Sequence, residues 1–192
     1  MKTAGWMVLG WMWAAAALAA PRPAELCGSC HGADGNGASP QFPRLAGQQA
    51  VYMEQQLLLF RDGKRDDKAA HRAVLAKLDD AGIKSAAAYF AARAPAANAA
   101  AGADPKLVAA GAKLFREGNL AVGTPPCFSC HGDRGEGNAT APRLAGQHAA
   151  YLQSQLRVFD VSQRPAAAEM QEIVKTMSED DIKAVLAYLP GM

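Results

Sequence analysis

The chain has 192 residues and a formal charge of +2, with 20 basic and 18 acidic side chains. These are spread evenly and form no basic tract, which excludes a nucleic-acid-binding role. Half of the residues are hydrophobic but only 7% are aromatic, and much of that half is alanine, so small helical domains built from it need added apolar bulk to fill a core.

The first segment reads as a targeting signal. Lys2 precedes an apolar run from Trp6 to Ala20, and Ala17-Leu18-Ala19 has the form of a signal-peptidase site. Residues 1–19 are therefore expected to be removed, leaving a mature chain that starts at Ala20 with a formal charge of +1. The competing reading is an uncleaved anchor, for which the run is shorter than the roughly 20 apolar residues that a spanning helix needs.

Next comes Cys27-Gly28-Ser29-Cys30-His31, which returns as Cys127-Phe128-Ser129-Cys130-His131 and so uses all four cysteines. Cys-x-x-Cys-His is the attachment signature of a c-type haem. Two thiols about one helical turn apart can add across the vinyl groups of one porphyrin, and the adjoining His becomes the proximal iron ligand. The alternatives are structural zinc and a thioredoxin-like dithiol. Two covalent haems would also supply the missing core bulk. In each repeat the Cys pair is assigned to thioether attachment: Cys27 and Cys30, Cys127 and Cys130. His31 and His131 are assigned to iron.

After His31 the run Gly32-Ala33-Asp34-Gly35-Asn36-Gly37 predicts a turn-rich loop. Helices are expected over about 47–61, with Tyr52, Gln56, Leu59 and Phe60 at helical spacing, over about 68–77, and over about 80–92 with Asp79 as N-cap. Residues 94–104 read as a linker. Pro105 opens a further helix to about Glu117 with Leu107, Ala110 and Leu114 on one face, and Ser178 with Asp181 approximates a capping box before the last helix. Strand alternation is missing throughout, so the fold class is all-α.

Comparison of the chain with itself gives its organisation. Pro43-Arg44-Leu45-Ala46-Gly47-Gln48 recurs as Pro142-Arg143-Leu144-Ala145-Gly146-Gln147, an offset of 99. The same offset pairs Tyr52 with Tyr151, Gln56 with Gln155, Phe60 with Phe159 and Arg65 with Arg164. The Cys motifs are offset by 100, so copy one holds one extra residue between His31 and Pro43. The division is a signal peptide over 1–19, one haem domain over 20–93, a linker over 94–104 and a second haem domain over 105–192.

The repeat also locates the second axial ligands. Met170 is the candidate in copy two, ahead of Met177, whose counterpart Leu78 suits a core position. In copy one the equivalent residue is His71, predicting a His31/His71 iron beside a His131/Met170 iron. A solvated surface His is the competing reading. Imidazole favours ferric iron and a thioether ferrous iron, so the first haem is expected at the lower potential. The carbonyls of Pro43 and Pro142 are candidates to accept Nδ1–H of the proximal histidines. Arg44, Arg143, Tyr52 and Tyr151 are candidates to reach propionates, and His148 is expected on the surface.

With its paired Cys-x-x-Cys-His-Gly motifs, its two Pro-Arg-Leu-Ala-Gly-Gln segments and Met170 ahead of Ser178-Glu179-Asp180-Asp181-Ile182, the chain resembles the dihaem cytochrome c4 family over essentially all of its mature length. The resemblance implies two tandem class I cytochrome c domains related by a pseudo-twofold, with haem attachment outside the bacterial cytoplasm. It also implies electron transfer between a redox protein donor and an acceptor such as a membrane-bound terminal oxidase. His71 departs from the family's Met, and copy one has only about seven mature residues before Cys27, where class I folds have a full helix. Its haem is therefore expected to be less covered. The expected function is a periplasmic carrier, soluble or loosely membrane-associated, that does no bond-making chemistry. The alternatives are the cytochrome subunit of a periplasmic dehydrogenase and a haem-based sensor, for which no output domain is visible.

Overall fold

The computed structural model describes residues 23–37, 39–66, 71–96, 102–160 and 164–192. The expected signal peptide lies outside the described residues, as do positions 97–101 of the linker. The described residues are helical, and their only β pairing is an isolated bridge between Asn119 and Thr124.

The first half contains α1 (Pro23–His31), α2 (Ala50–Arg61), α3 (His71–Leu75) and α4 (Asp80–Ala91). The second contains α5 (Pro105–Glu117), α6 (Phe128–His131), α7 (Ala149–Asp160), α8 (Ala168–Thr176) and α9 (Glu179–Tyr188), with short 3-10 turns before α8 and after α9. The caps follow the sequence. The Asp79 carboxylate accepts the Gly82 amide at 2.7 Å, and Ser178 and Asp181 form a complete reciprocal box. Asp104 accepts from Lys106 ahead of Pro105. Each satisfies an amide that the first helical turn leaves open.

One boundary and one helix face differ from expectation. Helix α2 starts at Ala50 rather than near position 47, because Gly47 takes a left-handed φ of +67° and the Gln48 side chain is engaged across the domain boundary. The buried face of α5 is Gly111, Leu114 and Phe115, whereas Ala110 is exposed. Gly111 lies against the Ala184 carbonyl and Tyr188 Cβ with no room for a methyl group, which turns the helix onto that edge and lets α5 cross α9 closely.

Each half has its own core. In the first, Met53, Ala87 and Phe90 gather with Ala24 of α1, and Phe60, Leu75 and Ile83 form a second group. In the second, Leu114, Phe115, Leu152, Val185 and Leu189 pack together, with Met177 against them as its repeat partner Leu78 suggested. Phe90 and Phe115 are almost wholly buried, which contributes about 1.5–3 kcal/mol each. The leading turn of α1 buries only Ala24 on α4, where α5 lays three residues on α9.

Candidate haem centres and the domain boundary

Cys27–His31 forms the C-terminal turn of α1, and Cys127 with Phe128–His131 forms the N-cap and the whole of α6, each ending at its histidine. The loop that follows folds back on itself in both copies. Gly37 and Gly137 donate to the His31 and His131 carbonyls at 2.8 and 2.7 Å. The Gly35 carbonyl accepts from Leu45 and Ala46, and the Gly135 carbonyl from Leu144 and Ala145. Gly35 (φ +77°) and Gly135 (φ +62°) need the left-handed region to make this reversal.

The reversal brings Pro43 onto His31 and Pro142 onto His131, with Nδ1 2.8 Å from the carbonyl oxygen in both. A carbonyl can only accept, so Nδ1 carries the proton and Nε2 keeps its lone pair for a metal. The extra residue of copy one is absorbed in the loop without changing this distance. Both rings are buried, 6% and 7% exposed. Burial lowers the pKa of each, opposed in part by the proline carbonyl, and His71 lowers His31 further. Both imidazoles are therefore neutral near pH 7, as a metal ligand must be.

Cys27 and Cys127 are half-buried, and Cys30 and Cys130 are exposed. Burial pushes the Cys127 thiol up to about 11 and the Cys27 thiol in the same direction. Such thiols are poor thiolates, which does not suit a dithiol redox centre. No cluster of three or more His, Cys, Asp and Glu residues occurs among the described residues, whereas structural zinc needs four such ligands.

His71 opens α3, and its ring centroid lies 6.1 Å from that of His31 with 30° between the planes. A metal–imidazole bond is about 2 Å, which puts each ring centre about 3 Å from the metal and two opposed rings about 6 Å apart. The pair fits a shared iron. Met170 stands half-buried in the first turn of α8.

The two halves meet through residues that the repeat had paired. Gln48 Oε1 accepts the Arg143 amide at 2.7 Å while its Nε2 donates to the Arg143 carbonyl. Gln147 does the same with Arg44, at 2.9 and 3.0 Å. Further along, Arg65 donates to Gln56 of its own half and to Tyr151 and Gln155 of the other. Arg164 mirrors it with Gln155, Tyr52 and Gln56. Tyr52 and Tyr151, candidates for propionates, thus hold the arginine of the opposite half. Arg143 keeps a buried Nε with no hydrogen-bond partner among the described residues, a donor suited to a carboxylate. His148 corrects an expectation. It is half-buried at this boundary rather than on the surface, with Nε2 donating to the Gly37 carbonyl at 2.9 Å. The reciprocal set was missed because an offset pairs equivalent residues without saying that their faces meet. The available signal was the retention of Tyr and Gln on a helix face, with an Arg just beyond the helix, in both copies.

The family model described as Cytochrome c matches residues 22–93 and again 108–192. The chain is 41% identical over 181 residues to cytochrome c4 of Pseudomonas aeruginosa, covering 92% of this chain and 88% of that protein. It is 37% identical over 173 residues to a thiosulfate dehydrogenase electron acceptor of Stutzerimonas stutzeri, covering 88% and 80%. The crystal structure of reduced recombinant cytochrome c4 from Pseudomonas stutzeri superposes with a TM-score of 0.77 at 36% identity, covering 87% of this chain and 93% of that one. The duplicated Cys-x-x-Cys-His turns, the neutral buried histidines and these likenesses agree: the chain belongs to the dihaem cytochrome c4 family of electron carriers and has two c-type haems, one in each repeat.

Proposed function

We propose that the chain relays electrons in the bacterial periplasm between a redox protein donor and an acceptor such as a terminal oxidase, entering at the first haem and leaving from the second. The observation that carries this direction is the pairing of His31 with His71, at 6.1 Å, in the position where copy two has Met170. Each haem, when bound, supplies one iron that cycles between ferric and ferrous states. Cys27, Cys30, Cys127 and Cys130 hold the two groups by thioether bonds. His31 and His71 serve as ligands in the first domain, and His131 and Met170 in the second. The Pro43 and Pro142 carbonyls fix the proximal rings and increase their basicity. Arg143, with its open buried Nε, is placed to receive a propionate. The pairs His31/His71 and His131/Met170 would hold the irons for electron exchange alone, so the chain does no bond-making chemistry of its own. Residues 1–19 direct export and are removed, giving a mature chain of two domains over 20–93 and 105–192.

A second reading is a cytochrome subunit working with a periplasmic dehydrogenase, favoured by the likeness to the Stutzerimonas electron acceptor. A spectroscopic redox titration of the purified mature protein tests the relay. Two separate one-electron steps are expected, with the lower belonging to the haem that lacks a Met-to-iron charge-transfer band. Two coincident steps remove the basis for the direction. Tight co-purification with a larger oxidoreductase selects the second reading.

A further inference from the structure

Phe60 ends the core-facing stripe of α2, 9% exposed and packed with Leu75 and Ile83. Its ring lies almost parallel to the His71 imidazole, with centroids 4.3 Å apart and 18° between planes. The Arg65 guanidinium sits over the same phenyl ring, 4.3 Å from its centroid. Arg65 is held in turn by Gln56 of its own domain and by Tyr151 and Gln155 of the other. A continuous run of contacts therefore joins the domain boundary to His71.

From this we propose that Phe60 is the positioning residue for His71, setting the plane of that imidazole toward the first haem, and that Arg65, anchored on the second domain, fixes Phe60. The proposal rests on the reading of His71 as the second iron ligand. The physical need is plain. The ring torsion of a histidine is broad, so an iron bond at one nitrogen leaves the plane of the ring free to turn. A parallel aromatic neighbour selects one plane, and Phe60 has its own rotamer fixed by core packing. A cation over the phenyl face further resists displacement of that ring. The second domain has the same pair, with Arg164 4.7 Å over Phe159. There the candidate ligand is Met170, whose thioether has no ring plane to hold, so this positioning role belongs to copy one alone.

The angle between two axial imidazoles sets how their π orbitals overlap the iron d orbitals, and the electron paramagnetic resonance spectrum of low-spin ferric haem reports it. A pair of imidazoles with a small angle between planes, such as the 30° between His31 and His71, gives three well-resolved g values, and turning one ring toward the perpendicular moves the largest g value upward. The test uses the full dihaem protein, comparing wild type with Phe60→Leu, Phe60→Tyr, Phe159→Leu and His71→Gly by this spectroscopy and by potentiometry. Phe60→Leu is expected to keep the bis-imidazole near-infrared band of the first haem while raising its largest g value and shifting its potential. Phe60→Tyr, which preserves the stack, should restore the wild-type signals. Phe159→Leu should leave the first haem unchanged. If the Leu variant fails to fold, Arg65→Gln leaves the core intact and should give a smaller shift of the same sign. Unchanged g values and potential in the Phe60→Leu and Arg65→Gln proteins overturn the positioning role, provided that His71→Gly does alter the first haem. If His71→Gly leaves that haem unchanged, the ligation reading falls and the positioning role falls with it.

Discussion

The two halves of this molecule have kept one part of their ancestry and changed another. At the boundary they remain matched, with Arg44, Gln48, Tyr52, Gln56 and Arg65 mirrored by Arg143, Gln147, Tyr151, Gln155 and Arg164. Around the iron positions and the amino-terminal edge they differ. Copy one offers His71 where copy two offers Met170, and among the described residues copy one starts with α1 where copy two starts with α5. A paired surface constrains both partners at once, because a change on one side leaves polar groups unmet on the other. An axial ligand faces only its own haem and is free to change alone. The comparison thus separates what holds the two halves together from the place where the proposed ligands differ.

Exchanging the ligands is the most forceful way to break the inequality. Met170→His should lower the potential of the second haem, and His71→Met should raise that of the first. Each shift is expected to be on the order of 0.1 V or more, within the roughly 0.8 V over which axial ligands set haem potentials. Redox titration with resolved spectra checks both, and a shift in the untouched haem of comparable size would argue against the residue assignment. A smaller effect should separate the halves by stability. Gly111→Ala forces a methyl group against the Ala184 carbonyl and Tyr188, an overpacking that costs about 3 kcal/mol where backbone must move. Thermal unfolding followed at each haem should show the second domain melting earlier while the first holds its midpoint. The mildest change acts on what the halves share. Gln147→Ala removes the partner of the Arg44 amide and carbonyl and should cost about 1–2 kcal/mol. Gln48→Ala should cost a similar amount through Arg143. Equal losses by calorimetry would show that the boundary is symmetric in energy as well as in geometry, and unequal ones would expose a leading half.

The haem-attachment turns, the duplication and both cap motifs were legible because each depends on residues close together in sequence. Asp79 is three residues from the amide that it caps, and Ser178 is three from Asp181. Even the Pro43 and Pro142 contacts could be anticipated, since a glycine-rich reversal of 11 or 12 residues must return near its start. The face of α5 was misjudged at Ala110 because the pattern of large side chains does not reveal that a glycine will make the closest approach. His148 was misjudged for a different reason. Its partner, the Gly37 carbonyl, lies 111 residues away, and only the docking of the halves supplies it.

The reciprocal glutamines have one more consequence. Because Gln48 reads the backbone at Arg143 and Gln147 reads the backbone at Arg44, each half displays a patch that nearly complements its own copy, as in an isologous dimer. The closed pairing within one chain therefore competes with the same pairing between two chains. A short covalent tether settles the contest by holding the halves at an effective concentration on the order of millimolar. Two chains that traded halves would make the same contacts, so nothing in the boundary itself penalises the exchange. The tether is thus what keeps one first-repeat haem domain matched to one second-repeat haem domain in every molecule.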